Sequence, residues 1–229
     1  MNSIELTVNG RAVDQMIEPR MHLADFLRER LNLTATHLRC EQGACGACTL
    51  LIDGQPARSC ITYAVLCDGA EITTLEGLEN DPIITALRRT FSLEHGLQCG
   101  YCTPGMLVTA RDIVLRLPNA DPARIRLELS GNLCRCTGYV GIVRAVSRVL
   151  DERGRGELVS PTLPLARTGP LGARPVRPGA SATASYTHSS VAGDDQRTGD
   201  GLGPGTGLWQ TLASRAKAGF VKMLRKVKA

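Results

Sequence analysis

The chain has 229 residues, enough for one or two small domains, with 43% hydrophobic residues, 3% aromatics and nine cysteines. Its net charge of +5 comes from the far end: residues 207–229 hold Arg215, Lys217, Lys222, Arg225, Lys226 and Lys228 and no acid, and setting those six apart from the 27 basic residues leaves 21 against 22 acidic ones. A near-neutral body gives no footprint for nucleic acid, no apolar run approaches the ~18 residues of a membrane span, and the start Met1-Asn2-Ser3-Ile4 lacks the basic and apolar regions of an export signal.

Residues 3–9 alternate as a half-buried strand, Asn9-Gly10 is a two-residue hairpin signal, and 11–17 is the returning strand. Residues 22–31 put Leu23, Phe26, Leu27 and Leu31 on one face of a helix. Then comes Cys40-Glu41-Gln42-Gly43-Ala44-Cys45-Gly46-Ala47-Cys48, followed after eleven residues by Cys60. The C-x4-C-x2-C spacing with a later fourth cysteine is that of a loop holding a [2Fe–2S] cluster by four thiolates. Gly43 and Gly46 let the backbone take positive φ and bring N–H groups close to an anionic cluster. A zinc knuckle rarely uses four intervening residues, and a disulfide framework needs an oxidising compartment. Many cysteines without an export signal indicate metal binding in a reducing cytoplasm.

Residues 48–53 read as a strand, Asp53-Gly54 as a turn, and a further short strand precedes Cys60. A helical segment over 61–67 and a strand over 70–75 complete the unit. The predicted class is α+β: residues 1–78 form a β-grasp ferredoxin-like domain. From residue 80 the apolar period turns helical over 82–94, 104–117, 122–130 and 138–151, which predicts a four-helix domain over 79–152. Asp81-Pro82 and Asp121-Pro122 look like N-caps followed by a first-turn proline, and Thr103-Pro104 offers the second helix the same start. This domain carries Cys99-Gly100-Tyr101-Cys102 and, 31 residues on, Cys134-Arg135-Cys136. Cys102 just before a helix start favours thiolate, and Arg135 adds a cation between two ligands. Alone, these four could hold zinc or a cluster; beside a ferredoxin-type loop in the same chain, a second [2Fe–2S] cluster is the expected occupant.

Residues 153–206, rich in Gly, Pro, Ser, Thr, Ala and Arg, read as a disordered linker. Residues 207–229 regain a helical pattern, with Trp209, Leu212, Phe220 and Leu224 on one face and the six cations off it. Such a basic amphipathic helix suits a membrane surface, a partner groove, or a tail that never folds.

Both cysteine sets in this order, within Gln98-Cys99-Gly100-Tyr101-Cys102-Thr103-Pro104-Gly105 and Ser130-Gly131-Asn132-Leu133-Cys134-Arg135-Cys136-Thr137-Gly138-Tyr139, resemble the iron–sulfur subunit of the molybdenum hydroxylases. That family includes xanthine and aldehyde oxidases and aerobic carbon monoxide dehydrogenases. The resemblance covers about residues 3–150. It implies two [2Fe–2S] clusters, on Cys40, Cys45, Cys48 and Cys60 and on Cys99, Cys102, Cys134 and Cys136. It implies a large partner subunit holding molybdopterin and a medium one holding FAD. Single electrons would pass from the molybdenum side through the helical-domain cluster and the ferredoxin-type cluster to FAD. It also implies that Gln98 and Cys136 lie near the pterin.

The chain shows no general base, nucleophile constellation or phosphate loop, so no catalytic residue is assigned to it. Two centres without substrate machinery describe an electron relay, and the two should differ in exposure and potential. A free-standing two-cluster ferredoxin-type carrier and a zinc scaffold are the competing functions. The expected location is cytoplasmic, at the inner face of the membrane if 207–229 binds lipid. Cys67 reads as a buried structural thiol, the histidines as surface or helix-end residues, and Tyr101 and Tyr139 as packing beside the ligands.

Overall fold

A computed structural model describes residues Met1–Leu158, which fall in one compact unit; Arg153 and Gly154, expected to open the linker, instead end the last helix, and the rest of the expected linker from 159 and the amphipathic helix lie outside the described residues. β1 (Asn2–Val8) and β2 (Arg11–Ile17) form the antiparallel hairpin, turning at Asn9 and Gly10, both at positive φ. β3 (Thr49–Ile52) and β4 (Gln55–Arg58) form another around Asp53 and Gly54, again both at positive φ. Two left-handed residues match the natural twist of paired strands, which is why Asn-Gly and Asp-Gly mark these turns. β5 (Glu71–Thr73) lies between the hairpins, parallel to β1 and antiparallel to β3, so the sheet order is β2-β1-β5-β3-β4.

The helix expected over 22–31 begins as α1 (Leu23–Asp25) and then widens into a π-helical turn over Phe26–Arg30. The wide turn keeps Leu23, Ala24, Phe26 and Leu27 all buried under the sheet, and Arg28 donates to the Thr34 and Thr36 carbonyls beyond it. The segment over 61–67 is not one helix. Two 3₁₀ turns, Ser59–Ile61 and Ala64–Cys67, flank a bridge between His22 and Tyr63. Their hydrogen bonds to Met21 and Leu23 tie the segment to the start of α1, which a continuous helix could not do.

The helical half holds α2 (Pro82–Leu93), α3 (Thr103–Arg116), α4 (Pro122–Glu128) with a 3₁₀ turn over Leu129–Gly131, and α5 (Val140–Gly154). Asp81 caps α2, accepting from the Ile83 and Ile84 amides at 2.9 and 3.0 Å, and Asp121 caps α4 through Arg124 N–H at 2.6 Å. For α3 the expected Thr103 cap is replaced by Cys102 itself, and the Thr103 hydroxyl is buried without a hydrogen-bond partner. Helix α3 thus starts on a cysteine of the second set, which pushes Thr103 into the first turn.

The described residues form two apolar cores. One, around Ile4, Leu6, Phe26, Leu50 and Ile72, lies within the sheet half; the other, around Leu87, Phe91, Met106, Ile113, Ile142 and Val146, lies within the helices. β3 serves both: Leu50 and Ile52 point into the first and Leu51 into the second, where α3 packs on the strand. Successive strand residues face opposite sides, so one short apolar run can be buried on both faces. Among the described residues no helix is long and apolar enough to cross a membrane.

Candidate metal centres

Eight of the nine cysteines gather in two sets, and each set meets in pairs. In the loop between the π turn and β3, the Cys45 amide donates to Cys40 Sγ at 3.4 Å and the Gln42 amide to the same sulfur at 3.5 Å. Those two amides bring the Cys40 thiol down to about 6. The loop achieves this by left-handed turns at Glu41, Gly43 and Gly46. A Cβ at Gly46 would meet Asn132, so only glycine fits between the loops there. Cys60, brought in from the end of β4 by the Ser59 hydrogen bonds to the Cys48 carbonyl, is pushed up to about 12 by burial and then by the neighbouring Cys48 thiol. The pairs are Cys40 with Cys45 and Cys48 with Cys60.

In the second set Cys136 Sγ lies 3.6 Å from Cys99 Sγ. The Tyr101 amide lowers the Cys99 thiol, and the adjacent Cys99 sulfur raises Cys136. Cys102 pairs with Cys134. Although Cys102 stands at the start of α3, burial, with the Cys134 thiol beside it, pushes it up to about 12. Desolvation outweighs the partial charge of one helix end. Cys134 is the lowered member. Burial acts upward on it, and the Thr137 hydroxyl and amide with the Cys136 amide overcome that.

Among the described residues no group of three or more His, Cys, Asp or Glu side chains is drawn together as a ready metal-ion site. The thiols meet two by two, with the low-lying Cys40 and Cys134 each in a different set. Four cysteine sulfurs in each set is the donor count of a [2Fe–2S] cluster, and the chain matches two domains of that kind. The residues present therefore fit two [2Fe–2S] groups.

The sets differ in exposure, as expected. Cys45, Cys48 and Cys60 are buried, while Cys99 and Cys136 are exposed. Gln98, also exposed, donates from Nε2 to the Cys136 carbonyl at 3.2 Å, so both residues assigned to the pterin side stand together at one edge. A cavity of about 310 Å³ lies beside Cys136, lined by Arg39, Cys45, Tyr101, Leu133, Arg135 and all four cysteines of the second set.

The two tyrosines tie loops rather than simply packing. Tyr139, itself at positive φ, accepts from the Cys134 amide at 2.9 Å and donates to the Asn132 carbonyl at 3.0 Å. Tyr101 donates to the Leu38 carbonyl, and its ring faces His37, whose Nδ1 lies 2.8 Å from the Tyr101 carbonyl oxygen. His22 stacks on Tyr63, and His95 follows the end of α2. Cys67 is buried in the sheet-half core, as read from the sequence.

Sequence reasoning gave no role to Arg58 or to the Asn132 side chain. Arg58 donates to the Gly131 carbonyl at 2.6 Å and to Thr49 Oγ1. Asn132 donates to the Gly46 carbonyl at 3.1 Å and accepts from Thr109 Oγ1 at 3.0 Å. The one local signal was an arginine placed two residues before Cys60 on a short strand.

Residues 6–74 match the 2Fe-2S iron-sulfur cluster binding domain, and residues 74–147 match the [2Fe-2S] binding domain. The chain is 46% identical over 171 residues to caffeine dehydrogenase subunit gamma of Pseudomonas sp. (strain CBB1), spanning 73% of this chain and 96% of that one. It is 46% identical over 152 residues to the nicotine 6-hydroxylase small subunit of Paenarthrobacter nicotinovorans, spanning 66% and 90%. Among solved structures, quinoline 2-oxidoreductase from Pseudomonas putida 86 is similar at 49% identity and a TM-score of 0.63, over 68% of this chain and 98% of that chain.

Proposed function

The chain belongs to the small iron–sulfur subunits of the molybdenum hydroxylase family, and from that premise we propose that Cys40, Cys45, Cys48 and Cys60 hold one [2Fe–2S] cluster and Cys99, Cys102, Cys134 and Cys136 the other. The function of such a subunit is electron transfer within a multi-subunit oxidoreductase. When bound, each cluster supplies one-electron redox chemistry. The chain's own residues hold the thiols in register, shield the sheet-half set, and leave the helical-half set open to a partner.

The observation that carries this reading is the convergence of eight cysteines from distant loops into two sets of two pairs. The exposed edge with Gln98 and Cys136 supports a molybdopterin-holding large subunit docking there. The other partner is a medium subunit holding FAD, reached from the ferredoxin-type centre. Electrons enter at the open set and leave by the buried one. Anaerobically purified chain is expected to carry about four irons, two per cluster. Full reduction is expected to give two distinct paramagnetic species. Half the iron, a single species, or four bound zinc-competent thiols without iron would overturn the reading. Co-purification with subunits carrying molybdopterin and FAD separates it from a free-standing carrier.

A second proposal rests on sequence alone. Residues 207–229 carry six cations and an apolar face with Trp209 and Phe220, which suits an anionic lipid surface. Full-length chain is expected to sediment with anionic vesicles and chain ending at residue 158 to stay in solution. Equal behaviour of the two would remove the membrane contact from the reading.

A further inference from the structure

Resting on the reading above, we propose that Arg58 and Asn132 form a clasp that positions the two ligand loops against each other and thereby governs electron passage between the two centres. The loops touch through one backbone hydrogen bond: the Leu133 amide donates to the Cys45 carbonyl at 2.8 Å. One end is a ligand of the first set, and the other adjoins the ligand Cys134 of the second. The clasp grips oxygens on both sides of this junction. Asn132 Nδ2 donates to the carbonyl of Gly46, the neighbour of Cys45, and reaches Thr49 Oγ1, the neighbour of Cys48, at 3.4 Å. Its Oδ1 accepts from Thr109 Oγ1 at 3.0 Å and Arg58 Nη2 at 3.4 Å. The side chain is 2% exposed with all four hydrogen-bonding positions used, so it has no freedom to shift.

Arg58 closes the other side, on the Gly131 carbonyl and on Thr49 Oγ1, which in turn donates to the Gly46 carbonyl at 2.6 Å. These partners are all oxygens without formal charge. Gluing two halves together does not require this. Leu51 already packs across the boundary, and Gly105 lies against the Gly46 and Ala47 backbone. A buried amide and a half-buried guanidinium cost desolvation that apolar contacts would avoid. With both clusters bound, the step would be a one-electron exchange in which one centre is oxidised and the other reduced.

The test uses the full chain in its complex, loaded with both clusters, with Arg58→Gln, Arg58→Lys and Thr109→Val. Four quantities are read: iron per chain, the individual signals of the two reduced centres, the magnetic splitting between them, and the rate of their equilibration after a pulse of reductant. Arg58→Gln is expected to keep its iron and both signals, weaken the splitting, and slow equilibration by about tenfold, less than the roughly hundredfold that a 1 Å misplacement of reacting groups can cost. Arg58→Lys restores part of the rate, and Thr109→Val gives a smaller loss in the same direction. If Arg58→Gln sheds iron, the decision passes to the other two variants. Unchanged splitting and rate in the iron-replete variants, or slowing only in proportion to lost iron, overturns the clasp. Failure of the underlying reading is distinct, because the unaltered chain would then lack two paramagnetic centres.

Discussion

A methyl group at Gly105, in the first turn of α3, would run into the Gly46 carbonyl oxygen and lie 2.9 Å from that of Ala47. Neither can move, because both belong to the loop that holds Cys45 and Cys48. Gly105→Ala is therefore expected to destabilise the chain by about 1–3 kcal/mol through overpacking, although alanine is the better helix former. Gly154→Ala, at an open position with nothing within 4 Å, is the control and should be neutral or slightly stabilising. Thermal unfolding of the pair checks this: an equal midpoint would mean that the loop yields. Tyr139→Phe tests a second single-atom effect. The hydroxyl accepts from the Cys134 amide and donates to the Asn132 carbonyl, so its loss leaves two backbone groups without that partner. A cost of about 1–3 kcal/mol is expected. It should show as faster iron loss from the helical-half centre alone, followed by its separate signal.

At the scale of elements, Asp81 joins two helices. It caps α2 through two amides and accepts from Arg111 Nε of α3 at 2.8 Å, with both side chains buried. Asp81→Ala removes the cap and strands a buried guanidinium, for an expected loss of about 3–5 kcal/mol in denaturant unfolding. Asp81→Asn keeps a capping oxygen and should lose less. Glu128 at the end of α4 bridges Arg116 and Arg124, and the Arg116 hydrogen bond holds its carboxyl below the ordinary range. A depressed carboxylate contributes stability above its unfolded pKa and loses it as pH falls through the folded one. Glu128→Gln should therefore flatten the acid limb of the stability curve slightly, and less so at high salt, because the bridge is part-exposed. The same elements show what the sequence could convey. Asn9-Gly10, Asp53-Gly54, Asp81-Pro82 and Asp121-Pro122 act through local chemistry and were legible. The π turn at Phe26–Arg30 and the broken 59–67 segment, tied to Met21 and Leu23, answer to partners outside the segment and were not. Likewise, cysteine spacing marks out the two thiol sets, whereas Arg58 meets Gly131 across 73 residues of chain and leaves only its place near Cys60 as a local trace.

For the whole molecule the decisive element is β3. A strand of four residues, all buried, lies between two cores and gives Leu51 to one and Leu50 and Ile52 to the other. The same strand follows directly on Cys48 and is paired to β4, which leads to Cys60. Loosening it should therefore reach both cores and the first thiol set at once. Leu51→Ala opens a cavity on the helical side only, with an expected cost of about 2–5 kcal/mol. If the halves were independent, that cost would fall on the helices and leave the sheet half unmoved. Because the strand is shared and the loops are joined at Cys45 and Leu133, unfolding followed by far-ultraviolet dichroism and by the visible absorbance of the bound clusters should shift together in this variant, with coincident transitions. A split into two transitions would show that the halves are merely adjacent. It would also leave the spacing of the two thiol sets without the rigid frame that a relay between them needs.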